Sequence, residues 1–129
     1  MIEQEIEKGN KLIVEFMGFK TKLRNGEEAV IVWEDGERNG SEYLRFFDYQ
    51  ENWVKLMPVV ERIASHNFDI RLNWMVDHKP DGRKYNMVTC TIVDSFHGRC
   101  NIQNGAYTQI EATWRSAVEF LTWHKTQQQ

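Results

Sequence analysis

The strongest constraint in this chain is the alternation over residues 68–76. Phe68, Ile70, Leu72, Trp74 and Val76 fall on one side of an extended backbone, and Asp69, Arg71, Asn73 and Met75 on the other. Successive side chains of a strand point to opposite faces, so this spacing predicts a strand with one buried face. Residues 77–84, with Pro80-Asp81-Gly82, predict a turn. Residues 85–93 return as the partner strand, with Val88, Cys90 and Ile92 on one face and Thr89 and Thr91 on the other. The pair is an antiparallel hairpin that requires a dry layer against one side only. A third short strand is predicted over 99–103, after a turn at His97-Gly98, with Asn104-Gly105 ending it.

Three segments carry the spacing of helices that could supply the dry layer. Ile2, Ile6, Ile13, Phe16 and Met17 share a helical face, interrupted at Gly9-Asn10. The segment Ile2 to Met17 therefore reads as a helix; because Asn10 is a good N-cap, the alternative is a helix that begins only there, with residues 1–8 loosely attached. Gly18 suits a left-handed stop. Trp53, Leu56, Met57, Val60 and Ile63 form a second stripe over 52–65, preceded by a capping-box spacing at Asp48 and Glu51. Pro58 inside it predicts a kink or restart, and Asn67 a stop. The third stripe is Ile110, Trp114, Ala117, Val118 and Leu121, opened by a capping box at Thr108 and Glu111. Residues 126–129 are expected to fray.

The first half reads as shorter strands. Phe19, Thr21 and Leu23 alternate with Lys20, Lys22 and Arg24, and Asn25-Gly26 is a strong hairpin signal. Residues 29–33 suit a buried strand, 34–41 a polar mobile loop, and 43–47 a further strand. The whole predicts one α+β domain over 1–129: a mainly antiparallel sheet of four to six strands with about three helices packed on one face.

Composition narrows the function classes. Hydrophobic residues make up 41% of the chain, too many for disorder, and no stretch approaches the roughly 18 apolar residues of a membrane span. The acidic start, Met1 to Glu7, is unlike a secretion leader, so a cytoplasmic location without membrane attachment is expected. The net charge is −3, with 12 acidic and 7 basic residues in 1–51 against 7 and 9 in the remainder. That balance disfavours nucleic acid, whose affinity comes from neutralising phosphates.

Residues 94–100 bring Asp94, Ser95, His97, Arg99 and Cys100 together in sequence. Read as chemistry, Cys100 would be a nucleophile with His97 as its base and Asp94 nearby. Read as structure, Phe96 and Cys100 pack inward while His97-Gly98 turns the chain. Reduced, buried thiols at Cys90 and Cys100 are the expectation. His66, His78, His97 and His124 lack the paired ligand spacing of a metal site, and no nucleotide or cofactor motif is present, so neither metal nor cofactor is expected. Trp33, Trp53, Trp74, Trp114 and Trp123 mostly fall on the inferred buried stripes. Tyr43, Phe47, Tyr49 and Trp123 have faces the spacing leaves open, and together on the surface they would mark a binding patch.

Three segments resemble a known group. Glu15-Phe16-Met17-Gly18-Phe19 is similar to the "EFMGW" opening of short proteins from phages, prophages and mobile elements of Bacteroides-type bacteria. Residues 53–63 resemble their "WDWLMPVVEKI" segment, and residues 111–121 their "EAVYNAVVEFI" helix. The resemblance implies a mobile-element origin and a cytoplasmic location. It implies no reaction and no catalytic residue. The expected function is that of a small non-enzymatic accessory protein that binds a host or phage macromolecule, most simply a protein. The alternatives are a small enzyme using the Cys/His/Asp cluster of 94–100, and a homodimer formed through a sheet face or an edge strand.

Overall fold

The computed structural model describes residues 2–94 and 98–127, and every side chain among them except those of Asp77 and Tyr85. The order is α1 (Glu3–Phe16), β1 (Thr21–Arg24), β2 (Glu27–Asp35), β3 (Arg38–Tyr43), a 3-10 turn (Leu44–Phe46), α2 (Trp53–Ala64), β4 (Phe68–His78), β5 (Lys84–Asp94), β6 (Asn101–Ala106) and α3 (Gln109–Gln127). The fold is α+β. The strands form two separate antiparallel meanders, β1-β2-β3 and β4-β5-β6, where the sequence predicts one larger sheet. Alternation fixes each strand's faces but says nothing about which free edges meet. Short turns therefore pair only sequence neighbours, and α2 separates the two groups.

Asn25 and Gly26 take φ of 54° and 77°, the left-handed pair that a tight β1-β2 hairpin requires. Residues 34–41, expected to be a mobile loop, are instead the tip of the β2-β3 hairpin. Glu34, Asp35, Arg38 and Asn39 pair across it. Polar composition was misleading there because a strand beyond the core has both faces wet. The expected strand at 43–47 is the 3-10 turn, which drops Leu44 into the core. The expected capping box at 48–51 is a turn, with the Glu51 N–H donating to the Asp48 carbonyl at 3.0 Å. Asn52 is the actual cap of α2, accepting from the Val54 N–H at 3.1 Å. Pro58 lies inside α2 without ending it. The bond a proline cannot supply at that place is the one to the Val54 carbonyl, in the first turn, where Val54 is exposed. The box at 108–111 caps α3 as expected, through the Glu111 N–H and Thr108 Oγ1 at 3.3 Å. The third strand runs through Asn104-Gly105 to Ala106 rather than stopping before it.

The interruption at Gly9-Asn10 has a tertiary cause. α1 runs unbroken through both residues, as the helical reading of Ile2 to Met17 expects and the alternative start at Asn10 does not, and Ile6 packs against the core. Asn10 is 1% exposed and caps nothing. Its Oδ1 accepts from Trp114 Nε1 of α3 at 2.9 Å. Its Nδ2 donates to the Phe47 carbonyl at 2.9 Å and to Gln50 Oε1 at 2.8 Å. One amide thus joins three parts of the chain. Around it, Ile13, Val14, Val30, Leu44, Leu56, Val59, Ile63, Ile92, Trp114 and Phe120 form the main core.

α3 lies across β5 and β6. Ala112 and Ala117 keep it close, and Ser116 Oγ donates to the Cys90 carbonyl at 2.7 Å. α2 covers β4 only near its start. Phe68 and Ile70 are half-buried, whereas every described side chain from 71 to 76 is exposed. Trp74 and Trp33, assigned to buried stripes by their spacing, are therefore surface residues at 65% and 54% exposure. The reason is length. Eleven strand residues extend about 36 Å, and the twelve residues of α2 only about 18 Å.

Candidate functional site

The first two turns of α2, the start of α3 and the first half of β4 line an open groove of about 440 Å³. Trp53, Met57 and Val60 form one wall and Ile70 and Leu72 the floor, with Gln109 and Thr113 of α3 at the far side. The helical spacing of 53, 57 and 60 puts these three on one side of α2, and the strand period puts 70 and 72 on one face of β4. Beyond the groove the same strand face continues as Trp74 and Val76, opposite Val88 and Asn86 of β5. Leu72 and Met57 are 40% and 42% exposed. Contiguous apolar surface beside a groove is what a soluble chain keeps for a partner.

A second cavity, about 300 Å³, lies where the C-terminal ends of α1, α2 and α3 meet, and is lined by Glu15, Phe16, Arg62, His66, His124 and Lys125 among others. His66 Nδ1 lies 2.8 Å from the Arg62 carbonyl, and the His66 and His124 rings are 5.8 Å apart. Burial, and then His66, holds His124 below the ordinary imidazole range. Lys125 pairs with Glu15 at 3.6 Å. Cations at helix C-termini offset the partial negative charge there, which accounts for this cluster without a ligand. Among the described residues no group of three or more His, Cys, Asp and Glu side chains is placed to hold a metal ion, and no helix is long and apolar enough to cross a membrane.

Of the residues singled out by sequence, Asp94 and Cys100 are neighbours, the Asp94 N–H donating to the Cys100 carbonyl at 3.0 Å. Cys100 is 4% exposed and packs in the main core, and its thiol is pushed up by burial and then by the charges of Asp94 and Glu119. Asp94 is 4% exposed and accepts from Arg99 Nε at 3.1 Å. His97 lies outside the described residues. A thiol held protonated in a core is the opposite of an activated nucleophile. Cys90 is likewise buried, with its thiol pushed up by burial.

The four aromatic residues left open by spacing occupy different surroundings. Tyr43 is half-buried between the guanidinium groups of Arg24 and Arg45, 4.8 and 5.3 Å from its ring centre. Phe47 stacks on Tyr49 at 5.9 Å, and Tyr49 is core. Trp123 is half-buried against Phe68 and Phe120, at 5.9 Å from each. Among the described residues the exposed aromatic side chains are instead Phe19, Trp33, Phe46, Trp74 and Tyr107. The groove residues Trp53, Met57 and Leu72 were read from sequence as core. The signal that could have separated them is the mismatch between an eleven-residue strand and a helix half as long.

Comparison with protein-family models, with curated proteins and with solved structures gives no match to this chain.

Proposed function

We propose that this chain is a small non-enzymatic binding protein, an accessory factor of a phage or mobile element, that takes an apolar segment of a host or phage protein into the groove between α2 and β4. The observation that carries the reading is the groove itself: Trp53, Met57, Val60, Ile70 and Leu72 converge there, and no element among the described residues covers them. Two half-buried or exposed walls of large apolar side chains favour an aliphatic or aromatic anchor from a partner. The net charge of −3 favours a protein over nucleic acid. The likeness of residues 15–19, 53–63 and 111–121 to phage and mobile-element proteins supports the origin, and a cytoplasmic site of action goes with it.

The test uses the full chain, cross-linked in host cells carrying the element, with each captured protein then purified and titrated directly. Met57→Glu and Leu72→Glu should each weaken that binding by about tenfold or more, the loss of at least one good anchor. A purified partner that binds both variants as tightly as the parent chain would refute the groove as its site.

A further inference from the structure

We propose that β4 pairs with β4 of a second copy of this chain, antiparallel about a two-fold axis through Trp74, joining the two β4-β5-β6 meanders into one six-stranded sheet. β4 is the outer strand of its meander. It is eleven residues long and pairs with β5 in unbroken register from Phe68 to His78. Soluble proteins protect such edges with short strands, bulges, glycine, proline or inward charges. The other edges here are of that protected kind. β1 has four residues, the β2-β3 ladder shifts register between Ile31 and Trp33, and β6 has six residues including Gly105. The exposed stretch of β4 from Arg71 to Val76 has no glycine, no proline and a single charge. Its apolar side chains stand on both faces, Leu72, Trp74 and Val76 on one and Met75 on the other.

The choice of a second copy over an unrelated strand rests on self-complementarity. A two-fold axis normal to the sheet keeps each face on its own side, so a residue pairs with one of the same parity. Centred on Trp74, the register places Trp74 opposite itself and Leu72 opposite Val76. It places Arg71 opposite Asp77 and Asn73 opposite Met75, each twice by symmetry. Opposite charges and apolar pairs directly across two strands are stabilising, and like charges are not. Moving the centre to Asn73 puts Asp69 opposite Asp77. Moving it to Met75 puts Arg71 opposite Lys79, just past the strand. Arg71 already lies 3.3 Å from Asp69 on its own strand. The interface is isologous and closes on itself, which forms a dimer and no fibre. This inference goes beyond the groove-binding reading and stands without it.

Light scattering on the purified full chain at about 100 µM should give twice the chain mass, since pairing is set by protomer concentration. Trp74→Lys and Val76→Lys should each return the monomer with unchanged far-ultraviolet circular dichroism. Both positions are more than half exposed, so the fold tolerates them. Under mild oxidation Trp74→Cys should cross-link to itself. Met75→Cys, which faces the other side and stands opposite Asn73, should not. Cys90 and Cys100 are buried and give no background. A parent chain of single mass, or a dimer that survives both lysine variants, would overturn the proposal. A cross-link at Met75 but not at Trp74 would refute the register.

Discussion

Replacing Gly9 by alanine separates local from tertiary reasoning, because the two give opposite signs. Gly9 lies mid-helix in α1, and in an exposed helix the change would gain about 1 kcal/mol from propensity. In the folded chain a β-carbon at Gly9 would stand 2.5 Å from Trp114 Cζ2, 2.8 Å from Cη2 and 2.9 Å from Val118 Cγ2. Carbon atoms prefer separations of about 3.5–4.0 Å, so something must shift by roughly an ångström. The indole cannot swing away freely. It is 3% exposed, and its Nε1–H is committed to Asn10. Overpacking of this kind costs about 1–3 kcal/mol, and stretching the indole hydrogen bond adds up to about 1 kcal/mol. Net of propensity, Gly9→Ala should lose up to about 3 kcal/mol of a total near 5–15 kcal/mol. Urea unfolding followed by circular dichroism measures this. In a Trp114→Leu background the obstructing ring is gone, and the same substitution should become neutral or stabilising. A parent-background gain in stability, or the same loss with and without the indole, would refute the argument.

Asn10→Ala should cost about 2–6 kcal/mol, because the Trp114 N–H and the Phe47 carbonyl lose their partner in or near the core, at about 1–3 kcal/mol each. A double-mutant cycle with Trp114→Phe should show coupling, and strict additivity would exclude the shared bond. His124 binds its proton less readily in the folded chain than free imidazole does, near 6.5, because of burial and His66. Its contribution to stability is therefore complete above about pH 6.5 and is lost as pH falls through the depressed folded value. Arg62, Lys125 and Glu15 line the same cavity, and the first two oppose a further positive charge. Urea midpoints measured from pH 8 downward should decline in this window for the parent chain and decline less for His124→Gln. Identical slopes would place the dependence elsewhere. Asp48, held below the ordinary carboxylate range by Lys55, stabilises the fold throughout this window, and its contribution is lost only as pH falls from about 3.8 through the depressed folded value.

Most elements were legible because each rests on interactions within a few residues. The β4-β5 hairpin, the Asn25-Gly26 turn and the Thr108 cap follow from strand period, backbone sterics and one side-chain bond. Errors arose where a residue's reason lies far along the chain. Asn10 looks like a cap because amides cap helices, yet its partners are Phe47, Gln50 and Trp114. Trp74 looks buried because it repeats with Ile70, yet the helix that covers Ile70 ends short of it. Of the candidate residues at 94–100, Asp94 and Cys100 are buried beside each other and His97 lies outside the described residues.

The sequence alone determined that this is an α+β chain with amphipathic helices and antiparallel hairpins, because periodicity and turn chemistry are local and additive. Tertiary structure decided that the strands form two sheets, that Gly9 and Asn10 serve α3, and that Leu72, Trp74, Met75 and Val76 of the outer strand β4 are exposed. Those outcomes depend on how far each element reaches and on what stands beside it, and no spacing within one segment records the length of its neighbour.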